Sequence, residues 1–262
     1  MKTQLKTPIS YYGGKQSMLN AIFPMIPEHT VYCEPFFGGG AVFWSKEPKK
    51  LEYINDFNGM VVNFYEQLKS NFSELKRILD ATLFSRSTYK QAMVVYEHPY
   101  LFTPVVKAWA FWVGTNFGFS NQIGTLSTSP KRISSCINKK IAFSESLSER
   151  LKNVFIENID AVKLIERIDA PEVFFYIDPP YVGAVQGHYG GYTQEHFDKL
   201  LECLSKVKGK FMLSSYPNKA LSKYAESCGW TIHSKNLTLV ASRNSSKKKT
   251  ECLTINYNLN NL

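Results

Sequence analysis

The chain lacks a cysteine framework. Its five cysteines (Cys33, Cys136, Cys203, Cys228 and Cys252) are odd in number, widely scattered and never arranged as a C-x-x-C pair. They cannot all be paired within one chain, and they offer no spacing for a structural zinc site, so a reducing compartment is expected. No apolar run approaches the roughly 20 residues that a spanning helix needs. The opening MKTQLKTPISYYGGK has no signal-peptide core either. A cytoplasmic protein that does not engage membranes is the expectation. Internal repeats and low-complexity linkers are also missing.

What is present is an ordinary globular composition, 44% hydrophobic and 14% aromatic over 262 residues, enough for one large domain or a domain with an insertion. Lys and Arg outnumber Asp and Glu by 31 to 22, a formal charge of +9. A surplus of this kind suits a polyanionic partner, although a merely soluble basic protein would show it too.

Short apolar runs rich in β-branched and aromatic residues recur at Thr30–Glu34, Leu51–Ile54, Val154–Ile159, Val173–Ile177 and Lys210–Ser214. Helix-like stretches lie between them, at Met60–Leu68, Val162–Arg167 and Glu195–Val207. Alternation of this kind predicts an α/β fold with a parallel sheet covered on both faces. Residues 57–150 break the rhythm. They read as helices (Ser73–Leu79, Ser87–Val95, Pro104–Val113) followed by a polar, glycine-containing stretch, and so as an inserted, mainly helical subdomain. Thr231–Val240 and Glu251–Tyr257 read as late strands separated by a basic loop.

Ligands in open α/β sheets sit beyond the carboxyl ends of strands. The strand ending at Glu34 runs into Pro35-Phe36-Phe37-Gly38-Gly39-Gly40, and the next strand ends at Asn55-Asp56, eighteen residues after Gly38. Consecutive glycines let a ligand approach the main chain closely. An acid at that distance is where a ribose diol would be gripped. The loop is neither G-x-G-x-x-G nor a P-loop, which disfavours NAD and ATP and suits a nucleoside without a pyrophosphate. A plain structural turn, with Asp56 as a helix cap, is the blander reading.

The most informative segment is Val173-Phe174-Phe175-Tyr176-Ile177-Asp178-Pro179-Pro180-Tyr181. A buried strand delivers a carboxylate, two prolines stiffen the chain and remove backbone donors, and an aromatic ring follows. Two N–H acceptors beside a flat ring match an exocyclic amine on a planar base.

Here the chain resembles the Dam-like family of DNA adenine methylases (the D12 class, alpha group). The family's F-x-G-x-G loop and D-P-P-Y motif correspond to Phe36-Phe37-Gly38-Gly39-Gly40 and Asp178-Pro179-Pro180-Tyr181. Its N-terminal cofactor motif is matched by Tyr11-Tyr12-Gly13-Gly14-Lys15, where many relatives have Trp at the first position. Its acid after the second strand is matched by Asn55-Asp56. Later motifs correspond to Phe211-Met212-Leu213-Ser214-Ser215-Tyr216 and Lys249-Thr250-Glu251-Cys252-Leu253. The resemblance implies a Rossmann-like sheet that uses S-adenosyl-L-methionine, formed by residues 1–56 and 151–262, with 57–150 as a DNA target-recognition subdomain. It further implies that Tyr11, Lys15, Glu34, Phe36, Gly38, Gly40, Asp56 and Asp178 surround the cofactor. Asp160 would meet the cofactor's adenine amine, or else cap a helix. Asp178, Pro179, Pro180 and Tyr181 would hold an adenine flipped out of duplex DNA for methylation at N6, with no metal required.

Phe117–Leu126 alternates and carries a glycine, so a β-hairpin is expected near 115–128. Asn121 and Gln122 on it are candidates for pairing with adenine. Lys131 and Arg132, Lys139 and Lys140, and above all Arg243, Lys247 and Lys248, are candidates for phosphate, each alternatively a solvated face. No stretch resembles the arginine-bearing recognition loop of Dam itself, so the target sequence is left open. RNA adenine methylation, cytosine-N4 methylation and a non-catalytic DNA-binding protein on the same fold are the competing readings. Cytosine-N4 enzymes more often carry Ser before Pro-Pro, and cytosine-C5 chemistry would need a Pro-Cys pair that the chain lacks. A chain working as a monomer, with a separate restriction endonuclease as a possible partner, completes the expectation.

Overall fold

A computed structural model describes residues 5–183, 191–238 and 248–261. The strands are β1 (Val31–Glu34), β2 (Leu51–Asn55), β3 (Val154–Glu157), β4 (Val173–Ile177), β5 (Lys210–Ser215), β6 (Thr231–Thr238) and β7 (Lys248–Ile255). The helices are α1 (Leu19–Ile22), α2 (Ala41–Ser45), α3 (Gly59–Ser70), α4 (Phe72–Ala81), α5 (Arg86–Glu97), α6 (Pro104–Phe117), α7 (Pro130–Ala142), α8 (Glu145–Leu151), α9 (Ala161–Ile168), α10 (Gln194–Leu204) and α11 (Lys219–Cys228). The chain divides into two compact units. The first comprises Met1–Leu19, Phe37–Pro48 and Glu52–Asn158; the second comprises Asn20–Phe36, Lys49–Leu51 and Ile159–Leu262.

The second unit is built on strands in the order β1-β4-β5-β7-β6. β1, β4 and β5 are parallel, with Val31 opposite Val173 and Phe175 opposite Phe211. Every residue of β4 is buried, as a strand covered on both faces demands. Helices separate these parallel strands, which is the Rossmann-like α/β organisation expected. The sheet is not parallel throughout, however. β7 pairs antiparallel with both β5 and β6, with Ser215 opposite Cys252 and Thr231 opposite Ile255. For β6 and β7 the physical reason is the short connection 239–247, because a parallel crossover needs a dozen or more residues.

In the first unit β2 and β3 pair in parallel, with Glu52 opposite Val154, and the helices α3 to α8 cluster with them. From Ala110 to Phe117 every residue of α6 is buried, so this helix is the unit's central post. It packs on α3, α4, α5 and α7. α7 and α8 were not foreseen in the polar stretch. α7 has a sequence-encoded start, with Ser129 accepting from the Arg132 N–H and Pro130 in the first turn.

The reversal expected as a β-hairpin near 115–128 is a loop closed by a single bridge between Gly118 and Leu126. α6 runs on to Phe117, and Ser120 and Asn121 adopt left-handed φ of 51° and 62°, which turns the chain and stops any strand. A side chain at Gly118 would place its Cβ 1.9 Å from the Gln122 carbonyl oxygen, so the turn requires glycine.

Candidate active site

In the first unit the glycine loop is pinned from several sides. The Gly38 N–H donates to Asp56 Oδ2 at 2.8 Å, the Asn58 N–H donates to Asp56 Oδ1 at 2.9 Å, and the Tyr65 hydroxyl donates to the Gly38 carbonyl at 3.0 Å. Gly38 and Gly40 have φ of 48° and 62°. A Cβ at Gly40 would lie 2.4 Å from the Phe37 ring, and one at Gly39 would lie 3.0 Å from Tyr11 Cβ. The close approach of this backbone to its surroundings is therefore available only to glycine. Asp56 is buried, and its carboxyl is pushed up to about 6 by burial, against the opposing pull of the Asn58 and Gly38 N–H groups. Each of its oxygens retains a second acceptor site for a hydroxyl donor. Asp56 is not the cap of the following helix; Asn58 fills that role for α3.

The N-terminal segment is strapped onto α6. The Trp112 indole donates to the Pro8 carbonyl at 3.0 Å and the Ser10 N–H donates to Asn116 Oδ1 at 2.9 Å. That sets the Tyr11 ring at 6.2 Å from Phe111, while the 3-10 turn Lys15–Met18 packs on α2. Lys15 is buried and donates to the Gly13 carbonyl at 3.0 Å. Tyr11, Lys15, Gly38, Gly40 and Asp56 thus belong to one unit.

Glu34, Phe36, Asp160, Asp178, Pro179, Pro180 and Tyr181 belong to the other. The Tyr181 hydroxyl donates to Glu251 Oε1 at 2.6 Å and lies 2.7 Å from Ser214 Oγ, which itself is 2.9 Å from the same Glu251 oxygen. Burial and the nearby charges of Asp178 and Glu251 hold the Tyr181 phenol far above its ordinary range, so it stays protonated and donating. Its ring is fixed edge-on to Tyr216 with centroids 4.4 Å apart, and together with Pro179 and Pro180 it walls a cleft.

Glu34 is buried and accepts the Tyr32 hydroxyl at 2.6 Å. The buried Tyr176 phenol is driven well up by burial first, then by the charges of Asp178, Glu34 and Glu251. Three carboxylates therefore converge around Tyr176, a field that suits a cationic ligand such as a sulfonium. Asp160 caps α9, with Oδ1 accepting the Lys163 N–H at 3.0 Å. Phe36 meets Tyr192 edge-on at 6.1 Å.

Ser214 and Glu251 are the residues whose role sequence reasoning missed. Their motifs were recognisable, but not that antiparallel pairing of β5 with β7 brings them to the Tyr181 hydroxyl. A second missed group is the buried Glu52, bridged by both Lys46 and Arg150, with the Arg150 guanidinium 3.7 Å from the Phe43 ring centroid.

Of the expected DNA contacts, Asn121 Oδ1 accepts from Arg132 at 2.8 Å, while Gln122 is half-buried beside it. Lys131 is exposed. Lys139 donates to the Thr7 carbonyl at 2.6 Å, and Lys140 donates to the Asp80 and Thr82 carbonyls at 3.0 Å. Burial pulls Lys139 down to about 8. Arg243 and Lys247 lie outside the described residues, as does the side chain of Lys248. No described helix is long and apolar enough to cross a membrane.

Residues 11–108 and 120–242 match the family described as D12 class N6 adenine-specific DNA methyltransferase. The chain is 27% identical to the type II methyltransferase M1.LlaDCHI of Lactococcus lactis subsp. cremoris, across 98% of this chain and 97% of the relative. It is 23% identical to the modification methylase StsI of Streptococcus sanguinis across 69% of this chain, which spans 29% of StsI. A segment making up 22% of the chain is 42% identical to the DNA N-6-adenine-methyltransferase of Escherichia phage P1, of which it covers 7%. The chain belongs to the D12 class of N6 adenine-specific DNA methyltransferases, enzymes that transfer a methyl group from S-adenosylmethionine to the N6 amine of adenine in DNA.

Proposed function

We propose that this chain methylates adenine N6 within one short sequence of duplex DNA, acting on a nucleotide turned out of the helix. The observation that carries this reading is the Tyr181 ring, locked by Ser214 and Glu251 at the wall of a cleft and three residues beyond a strand-end carboxylate. A fixed aromatic face beside acceptors is what an extruded aminopurine requires. Unstacking the target nucleotide costs a few kcal/mol. Stacking on an aromatic ring returns roughly 1–3 kcal/mol per base.

The N6 amine is a weak nucleophile because its lone pair is delocalised into the ring. Asp178 and the Pro179 carbonyl accept its two N–H bonds, favouring a more tetrahedral nitrogen whose lone pair is free to attack. The cofactor, when bound, would supply an electrophilic methyl on a sulfonium, whose S–CH3 bond breaks as the N–CH3 bond forms and which departs as a neutral thioether. Positive charge then develops on N6, and the Asp178 carboxylate stabilises it most strongly where water is excluded. An ordinary Asp, with a pKa of about 3.9, is a weak base toward a neutral amine. Asp178 therefore orients the amine and stabilises its charge, and the proton leaves after methyl transfer. Asp56 holds the ribose hydroxyls of the cofactor, and Tyr11, Lys15, Glu34, Phe36, Gly38 and Gly40 complete its surroundings, with Asp160 at its adenine. Residues 57–150 act as the target-recognition part, through the loop bearing Asn121 and Gln122, while Lys131, Arg132, Arg243, Lys247 and Lys248 meet phosphates.

The names of two relatives, a type II methyltransferase and a modification methylase, support a modification role, in which methylation protects DNA from a separate endonuclease acting on the same sequence. Expression in a methylase-deficient host with single-molecule mapping of modified bases tests the whole reading. N6-methyladenine confined to one motif, and lost in Asp178→Ala, is the expected result. Modified cytosine, modification confined to RNA, or tight duplex binding without modification would each replace it with another reading.

A further inference from the structure

β5 ends on two serines with opposite fates. Ser214 Oγ is spent on Tyr181 and Glu251. Ser215 follows it along the strand and so points to the other face of the sheet. Ser215 is 3% exposed, and its hydroxyl has no hydrogen-bond partner among the described residues. Ser215 also lines the cleft formed by Pro179, Pro180, Tyr181, Tyr216 and Asn218.

Two other polar side chains on that wall are committed. The Tyr181 hydroxyl is held by Glu251. Asn218 accepts from the Ala220 and Leu221 N–H groups and donates to Gln194. Leaving a buried hydroxyl unpaired costs free energy, and a native structure that does so usually reserves the group for a ligand or an ordered water. The corner beside it is rich in acceptors and poor in donors: Asp178 offers a carboxylate, and Pro179 and Pro180 have no N–H. Acceptors satisfy the amine of a base, but the ring nitrogens next to that amine are themselves acceptors and need a donor.

Resting on the reading of this cleft as the acceptor-base site, we infer that the Ser215 hydroxyl donates a hydrogen bond to a ring nitrogen of the base being methylated, either N1 or N7, the two that flank the amino-bearing edge of adenine. Asp178 and Ser215 then read the base as a donor–acceptor pair.

The test begins once the wild-type target sequence has been mapped. Single-turnover methylation is measured for the wild type, Ser215→Ala and Ser215→Thr on duplexes carrying adenine, 1-deazaadenine or 7-deazaadenine at the target. Ser215→Ala is expected to slow methylation of adenine by about three- to tenfold, the effect of one neutral hydrogen bond. That loss should vanish on one of the two deaza substrates, and Ser215→Thr, which keeps a hydroxyl, should restore part of the rate on adenine. Because the hydroxyl is unpaired in the free protein, the Tm of Ser215→Ala should match or exceed that of the wild type. The inference is overturned if Ser215→Ala equals the wild type on adenine, if its loss is the same on both deaza substrates, or if its Tm falls in step with its activity. A wild-type protein that methylates no DNA at all would instead overturn the reading of the cleft.

Discussion

The glycine loop of the first unit and the Asp-Pro-Pro-Tyr corner of the second are both immobilised by a buried carboxylate, but the two carboxylates do different jobs. Asp56 accepts two backbone N–H groups and is pushed up to about 6, chiefly by burial. Glu251 accepts two side-chain hydroxyls, and it fixes an aromatic ring. A carboxylate held only by main-chain donors keeps acceptor capacity for a ligand's hydroxyls. One holding two hydroxyls has that capacity taken up and serves as an anchor for the ring it fixes. Glu52 marks a third case, a buried carboxylate paired with both Lys46 and Arg150.

The sharpest way to break this contrast is at the corner itself. Asp178→Ala should lower the methylation rate by about 10³-fold, the scale seen when one preorganised electrostatic group is lost from a site. Its thermal unfolding should shift little, and a rate within tenfold of the wild type would remove Asp178 from the chemistry. Next in size is the anchor. Glu251→Ala strands the Tyr181 and Ser214 hydroxyls in a buried place, so stability should fall by about 1–3 kcal/mol on chemical denaturation. Tyr181→Phe loses the same anchor but keeps the ring, and should retain more activity than Tyr181→Ala; equal losses would argue against stacking.

On the other side, Gly40→Ala forces a side chain into a left-handed backbone and against the Phe37 ring. It should cost about 1–2 kcal/mol from the backbone alone, and cofactor affinity measured by calorimetry should fall with it.

The smallest effect is a pH dependence. Asp56 rises from 3.8 to about 6 on folding, so the folded protein binds the extra proton between those values. Its contribution to stability is therefore fully present below 3.8 and is lost as pH rises through 6. Ribose hydroxyls, by contrast, need the anion. Cofactor affinity should weaken by up to about tenfold per pH unit below 6 while the free protein gains stability from this group. Asp56→Asn should bind more weakly at pH 7.5 and show no such slope; a wild-type affinity flat from pH 7 to 5 would contradict the assignment.

Much of the local structure around the candidate site was legible in the sequence, and the reasons are local. The strand Val173–Ile177 was legible at its exact bounds because five consecutive apolar residues end at an acid followed by two prolines, and no helix continues through such a pair. Helix α10 followed from the helical spacing of Phe197, Leu200, Leu201 and Leu204, and α3, α4, α5 and α6 were read as helices too. The reading failed where backbone angles carry no compositional signal or where contacts between distant segments decide. The expected hairpin became a bridged turn because two residues took left-handed angles that alternation does not encode. Lys139 and Lys140 appeared as surface charge but cap carbonyls of Thr7, Asp80 and Thr82.

By itself the sequence determined the chemistry-bearing motifs, the α/β class and the glycine loop with its acid, because each is written in neighbouring residues under the steric rules of the backbone. Only the tertiary structure decided which hydroxyl is held and which is left unspent. Ser214 and Ser215 are the same residue type side by side, and nothing but the pairing of β5 with β7 gives one of them Glu251 and leaves the other facing the cleft.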